Sequence, residues 1–204
     1  MKKIVGMWNP SVILTYVGMA FAVLGMGFAF QGEDVARPMI CLIIAGVCDL
    51  LDGAVARRCK RTEEEKAFGI ELDSLVDVLS FIALPITIFL AMGFTGTVHL
   101  LLYVLYALAG IARLGYFNLK TADAEGPVPY YLGLPVTYAA LIFPVAYLLN
   151  GLLGDGFVIF YSLVILAVTV LEVLMIKIKK PRGIAYAIFA LLAVGMILYY
   201  FLAV

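Results

Sequence analysis

The sequence predicts an all-α fold, a polytopic bundle of helices spanning a membrane. Three observations carry that expectation. Apolar runs at about 11–30, 38–57, 69–92, 97–118, 132–149, 157–178 and 184–203 each approach or reach the roughly 20 residues that cross a bilayer. Hydrophobic residues make up 65% of the 204, and the mean hydropathy is +1.09, values that belong to the membrane class. The basic residues cluster in alternate connections, as the asymmetry of membrane insertion requires. Lipid offers no partner for a free backbone amide, so helices are expected rather than open sheet.

In chain order, Met1-Lys2-Lys3 before an apolar run has the look of a signal peptide. The run is too long for one and lacks a cleavage site, so a retained first membrane helix is expected. The second run carries Cys41 and Cys48, and Cys59 follows it. An odd count, with two cysteines inside an apolar helix, gives no disulfide framework and points to small packing residues. The fifth run is the shortest and holds Pro135 and Pro144, so a kink is expected there. Lys177-Ile-Lys179-Lys180-Pro181-Arg182 separates six helices from a seventh, dividing a core at 1–181 from an additional C-terminal helix at 182–204. Tyr199, Tyr200 and Phe201 are expected in an interfacial belt. No internal repeat is present.

With the N-terminus in the cytoplasm, the cytoplasmic segments hold Lys2, Lys3, Arg57, Arg58, Lys60, Arg61, Lys66, Lys120, Lys177, Lys179, Lys180 and Arg182. The opposite side holds only Arg37. This predicts a multi-pass cell-membrane protein with its N-terminus inside. Zero net charge gives no basic field, so no nucleic-acid partner is expected.

The chemistry concentrates between residues 49 and 77. Asp49 and Asp52 are i,i+3 neighbours on a helix, and Asp73 and Asp77 are i,i+4 neighbours. Each pair shares one face. If the two helices pack side by side, four carboxylates converge, and unpaired they repel each other at a large desolvation cost. A divalent cation resolves this, and clustered oxygen ligands suit Mg²⁺, Mn²⁺ or Ca²⁺. Gly53 lets a substrate approach the backbone, Ala56 keeps the same face low one turn on, and Arg57 offers a planar fork to a phosphate oxygen. Orientation puts this cluster at the cytoplasmic end of helices two and three.

Asp49, Asp52, Gly53, Ala56, Arg57, Gly69, Asp73 and Asp77 together resemble the CDP-alcohol phosphotransferase family, whose pattern is D-x-x-D-G-x-x-A-R, a short connection, then G-x-x-x-D-x-x-x-D. Eleven residues separate Arg57 from Gly69, a little more than the family pattern, and the extra ones fall at Glu63-Glu64-Glu65-Lys66, which reads as loop or helix start. The resemblance implies a six-helix core, here with a seventh helix added. It implies two metal ions held by Asp49, Asp52, Asp73 and Asp77, with Mg²⁺ or Mn²⁺ expected and Ca²⁺ a further candidate. CDP would be held by Asp52, Gly53, Ala56, Arg57, Gly69 and, from the first helix, Thr15. It implies Asp77 as the catalytic base for an acceptor hydroxyl, although residue type alone does not separate a base from a ligand. It also implies a homodimer.

Further residues bear on the acceptor alcohol. Arg113 to Asn118, then Tyr131-Leu132-Gly133-Leu134-Pro135, resemble the membrane-embedded phosphatidylserine synthases of that family, as do Asp73–Phe81 and Lys177-Ile-Lys179 before Pro181. This likeness covers about residues 40–181. Asn9 and Thr15 fit the family's entry segment, while Gly18 stands where that subfamily often has asparagine. The implied reaction is CDP-diacylglycerol plus L-serine giving phosphatidylserine and CMP. Glycerol 3-phosphate, inositol phosphate or choline would be alternative acceptors, and a cation transporter is the alternative from another class. Arg113, inside an apolar helix, is a candidate for a phosphate or the serine carboxylate, or else snorkels to the interface. Asn118 binds substrate or caps its helix. Glu172 pairs with a base such as Arg113, and Glu71 faces outward or supports the motif. Lys177 and Lys179 fix topology or meet anionic headgroups. His99, alone near the opposite interface, is given no chemistry.

Overall fold

The computed structural model describes residues 4–122, 130–181 and 183–203. Lys2, Lys3 and Arg182 fall outside them. The fold is an all-α polytopic membrane bundle. A 3-10 turn at Pro10–Val12 enters α1 (Ile13–Gln31), followed by α2 (Ala36–Arg58), α3 (Glu63–Asp77), a π-helical segment (Val78–Ala83) and α4 (Leu84–Ala91). Next come α5 (Thr97–Ala122), β1 (Tyr130–Leu132), α6 (Ala139–Tyr147) and the single turn α7 (Asn150–Leu153). The chain then forms α8 (Phe157–Val173), β2 (Lys177–Lys179) and α9 (Ile184–Ala203). Among the described residues six helical spans are long and apolar enough to cross a membrane, and α3 to α4 counts as one of them. The proline-bearing fifth run makes only a shorter apolar helix at Val136–Tyr147, with Pro144 inside it.

The second helix is the central strut, packed on α1, α4, α6 and α9. Its seam with α1 is built from small residues. A Cβ on Gly25 would lie 2.8 Å from the Cys41 Cβ, and one on Gly18 would lie 3.2 Å from the Cys48 Cβ. Cys41 and Cys48 are buried free thiols, the packing residues expected of them. Deeper, Phe89, Tyr106, Phe143 and Tyr161 are fully buried, with Phe89 and Phe143 edge to face at 4.8 Å.

Two local features position the site. The residues before Gly69 are helix start: Thr62 caps α3, accepting from the Glu65 amide at 3.2 Å while the Glu65 carboxylate accepts from the Thr62 amide at 2.9 Å. Three glutamates in that first turn suit the helix dipole. The longer connection is thereby absorbed as helix, and only residues 59–62 join α2 to α3. The π segment directly follows Asp77. Pro85 has no amide proton to give the Phe81 carbonyl, which the Tyr106 hydroxyl satisfies instead. The Leu84 amide reaches back to Leu79, an i→i−5 bond that widens the helix here.

The structure departs from expectation late in each of the last two runs. The sixth run stops being helical at Val173, and Lys177–Lys179 pairs antiparallel with Tyr130–Leu132, with Tyr131 opposite Ile178. The cause is the docking of the segment after β1. The amides of Gly133 and Leu134 donate to Ile176 and Leu171 carbonyls, both at 2.9 Å, and a Cβ on Gly133 (φ +71°) would lie 2.3 Å from the Glu172 carbonyl oxygen. Tyr200 faces the protein rather than its surroundings. It is buried, and its hydroxyl donates to the Pro144 carbonyl at 2.7 Å.

Candidate active site

Asp49 and Asp52 stand six to nine residues before the end of α2, about 9–14 Å along its axis. Asp73 and Asp77 occupy the last two turns of α3. Asp49, Asp52 and Asp73 each bring one carboxylate oxygen to within 4.8 Å of the others. Asp77 is buried and lines the same small cavity as those three, together with Thr15, Gly18 and Ser80. The four aspartates singled out by spacing therefore do converge. An all-oxygen anionic donor set of this kind fits a hard divalent cation. Thr15 completes it from α1, its hydroxyl donating to Asp52 Oδ2 at 2.8 Å.

A larger cavity of about 280 Å³ opens beside the acids. Asp49, Asp52, Asp73, Gly53 and Arg57 give it a polar side. Phe189, Ala193 and Met196 of α9 give it an apolar wall. Arg57 leans over Gly53, with Nη1 3.4 Å from where a Cβ on that glycine would sit. A Cβ at residue 53 would touch the guanidinium at contact distance. Ala56 and Gly69 do not line this cavity, and Gly69 faces Arg61 instead. Glu71 is exposed.

The other candidate residues gather across from the acids. Arg113 is 7% exposed, so it does not snorkel. Its guanidinium lies 5.0 Å from the Phe117 ring centroid and 5.9 Å from that of Tyr131. Lys180 lies over the same two rings, at 5.5 and 4.9 Å. Two cations thus share one aromatic pair, and Tyr131 of that pair also lines the larger cavity. Helix α5 runs past Asn118 to Ala122, so Asn118 caps nothing there. Its amide donates to Ser74 Oγ at 2.6 Å, tying α5 to the turn that carries Asp73. The expected pairing of Glu172 with Arg113 is not made. The ion pairs among the described residues are Arg37 with Glu33 and Asp34, and Lys66 with Glu63. His99 meets Ser162 at 3.0 Å and stacks on Phe94, away from the acids.

Sequence reasoning missed Lys180 and Tyr131 as neighbours of Arg113. A run of three lysines near a proline carried no hint that its last member folds back onto an aromatic pair. The π segment was missed too, although Pro85 eight residues after Asp77 was a usable signal.

An acidic cluster carried by two helices of a membrane bundle, beside a cavity with one polar and one apolar side, defines a polar site built into a membrane-embedded protein. The sequence pattern of the CDP-alcohol phosphatidyltransferase family matches residues 8–175, and the chain belongs to that family. It is 39% identical to a CDP-diacylglycerol–serine O-phosphatidyltransferase of Saccharomyces cerevisiae over 122 residues, 56% of this chain and 43% of the yeast protein. A Helicobacter pylori protein of the same name is 33% identical over 185 residues, 85% of this chain and 74% of that protein. One from Methanocaldococcus jannaschii is 32% identical over 96 residues, 47% and 43% of the two chains. The chain thus spans less than half of the yeast relative's length.

Proposed function

We propose that this protein transfers the phosphatidyl group of CDP-diacylglycerol to the hydroxyl of L-serine, giving phosphatidylserine and CMP. The observation that carries the reading is the convergence of Asp49, Asp52 and Asp73 beside a cavity that is polar on one side and apolar on the other. A nucleotide pyrophosphate joined to lipid tails needs both. The shared name of the relatives supports serine as the acceptor.

In this reading Asp49, Asp52, Asp73 and Asp77 would hold divalent metal, two ions by family resemblance, and bound metal would supply positive charge to the pyrophosphate. Thr15 fixes one Asp52 oxygen, so the carboxylate is oriented before substrate arrives. Gly53 admits the donor close to the backbone, and Arg57 takes a phosphate oxygen beside it. Ala56 and Gly69 act through the helix faces they keep bare. Asp77 accepts the proton of the serine hydroxyl as the new oxygen–phosphorus bond forms and the bond to CMP breaks. Arg113 takes the serine carboxylate, and Asn118 holds the α3 turn through Ser74.

The positive charges at one end of the spans support a cytoplasmic active site and N-terminus in the cell membrane. We read 182–204 as a helix added to the core at 1–181, forming a cavity wall. A homodimer rests on the family resemblance alone. The test is a CMP-release assay on purified protein, with CDP-diacylglycerol as donor and serine, glycerol 3-phosphate, inositol phosphate and choline as acceptors. Serine should be used best, and release with another alcohol but not with serine would refute the assignment.

A further inference from the structure

Glu172 lies at the end of α8, inside the apolar span, and is 2% exposed. Neither of its carboxylate oxygens has a hydrogen-bond partner among the described residues. A buried carboxylate carries a large desolvation cost unless a cation or donors answer it. Its own helix supplies none: Thr169, three residues back, donates to the Ile165 carbonyl at 2.8 Å. Across the interface stands Gly110 of α5. A Cβ there would lie 3.5 Å from Glu172 Oε2 and 2.6 Å from Ile82 Cδ1, so the glycine lets an apolar side chain and the carboxylate both come up against α5, and neither gives that oxygen a hydrogen-bond donor. Arg113, one turn further along α5, is within electrostatic reach of Glu172 and of Asp77, but forms an ion pair with neither. Its Nε is likewise buried without a partner.

Serine presents three groups: a hydroxyl, a carboxylate and an ammonium. Asp77 and Arg113 match the first two by charge and chemistry. Arg113 reaches the cavity side through Tyr131, which lines the cavity and carries the guanidinium on its ring. We propose that Glu172 receives the ammonium of the acceptor, making it the residue that selects an α-amino acid over a hydroxy acid. This rests on serine being the acceptor. The carboxylate and ammonium of one zwitterion then answer Arg113 and Glu172 together, two buried opposite charges that the fold leaves apart.

The experiment uses the purified full chain and CMP release. Wild-type protein is challenged with serinol, which keeps the ammonium and a hydroxyl, and with N-acetyl-L-serine, which keeps the carboxylate and hydroxyl without the positive charge. Serinol should compete with serine and N-acetyl-L-serine should not; equal competition overturns the proposal without any variant. In Glu172→Gln, the KM for serine should rise about tenfold or more while the KM for CDP-diacylglycerol stays within about twofold. Its preference for L-serine over L-glycerate, measured as the ratio of kcat/KM, should fall by at least about tenfold. Glu172→Asp should keep that preference. A merely structural glutamate would instead lower activity with both acceptors alike, and that result sinks the inference. Absence of serine-dependent release in wild-type protein, with release to another alcohol, overturns the serine reading itself and this inference with it.

Discussion

The two walls of the site are built differently. The wall formed by α2 and α3 draws its four acids from two adjacent helices, at spacings the helix repeat itself imposes. It is steadied from outside by α1, whose Thr15 hydroxyl donates to Asp52. The facing wall presents Tyr131 from β1, with Arg113 of α5 and Lys180 from beyond β2 over its ring and Glu172 of α8 within electrostatic reach of Arg113. There, charged atoms of Arg113 and Glu172 are buried without hydrogen-bond partners among the described residues. Its geometry depends on Gly133 letting the β1 segment lie against the end of α8. The first wall is thus set by local helical geometry and suits a fixed metal–pyrophosphate unit. The second is set by the docking of distant segments and suits a small zwitterion whose own charges complete it.

The largest effect should come from breaking the first wall. Asp73→Ala removes one of the three oxygens that converge within 4.8 Å and leaves Asp49 and Asp52 facing each other. CMP release should fall to background with every acceptor, and excess chelator should do the same to the wild-type enzyme. Full activity in chelator would remove metal from the account altogether.

Asp77→Asn should come next. It keeps size and one neutral oxygen, so CDP-lipid affinity at saturating metal should remain near normal. Turnover with serine should drop by about 10²–10⁴-fold, the usual effect of losing a general base. Loss of donor binding in the same variant would make Asp77 chiefly a metal ligand. Near wild-type turnover would put the base elsewhere.

Arg113→Lys tests the second wall. Lysine keeps the charge but lacks the planar fork and stacks less well over Phe117 and Tyr131. The KM for serine should rise about tenfold, the scale of one charge-assisted hydrogen bond, with the KM for CDP-diacylglycerol little changed. An unchanged serine KM removes Arg113 from the acceptor site.

The same contrast explains what the sequence made legible. The seven apolar runs and the aspartate spacings are local, period-governed signals, and each found its place on a helix. The proline-bearing run was readable as weak but not as short as Val136–Tyr147. The β1–β2 pairing was not readable, because a three-residue strand gains its meaning only from a partner some 45 residues away. Glu172 illustrates the limit best. Pairing it with Arg113 was reasonable from charge alone, yet side-chain reach depends on how α5 and α8 pack, which residue type and spacing do not reveal. Asn118 failed as a cap for a related reason: nothing local ends α5 there, and its partner Ser74 lies on another helix.

The smallest predicted effect sharpens the first wall rather than breaking it. Thr15 gives Asp52 a single hydroxyl from a neighbouring helix, and Thr15→Val replaces that hydroxyl with a methyl of similar volume. The ligand carboxylate remains but loses one hydrogen bond, a change that typically weakens a site by about 3–10-fold. The metal concentration for half-maximal CMP release should therefore rise by about that factor, while kcat at saturating metal stays within about twofold. Thr15→Ser should return the metal dependence toward wild type, because the donor returns. If kcat at saturating metal instead collapses as far as in Asp77→Asn, Thr15 acts on the substrate rather than through Asp52. The first wall would then extend onto α1, and its self-contained two-helix design would have to be abandoned.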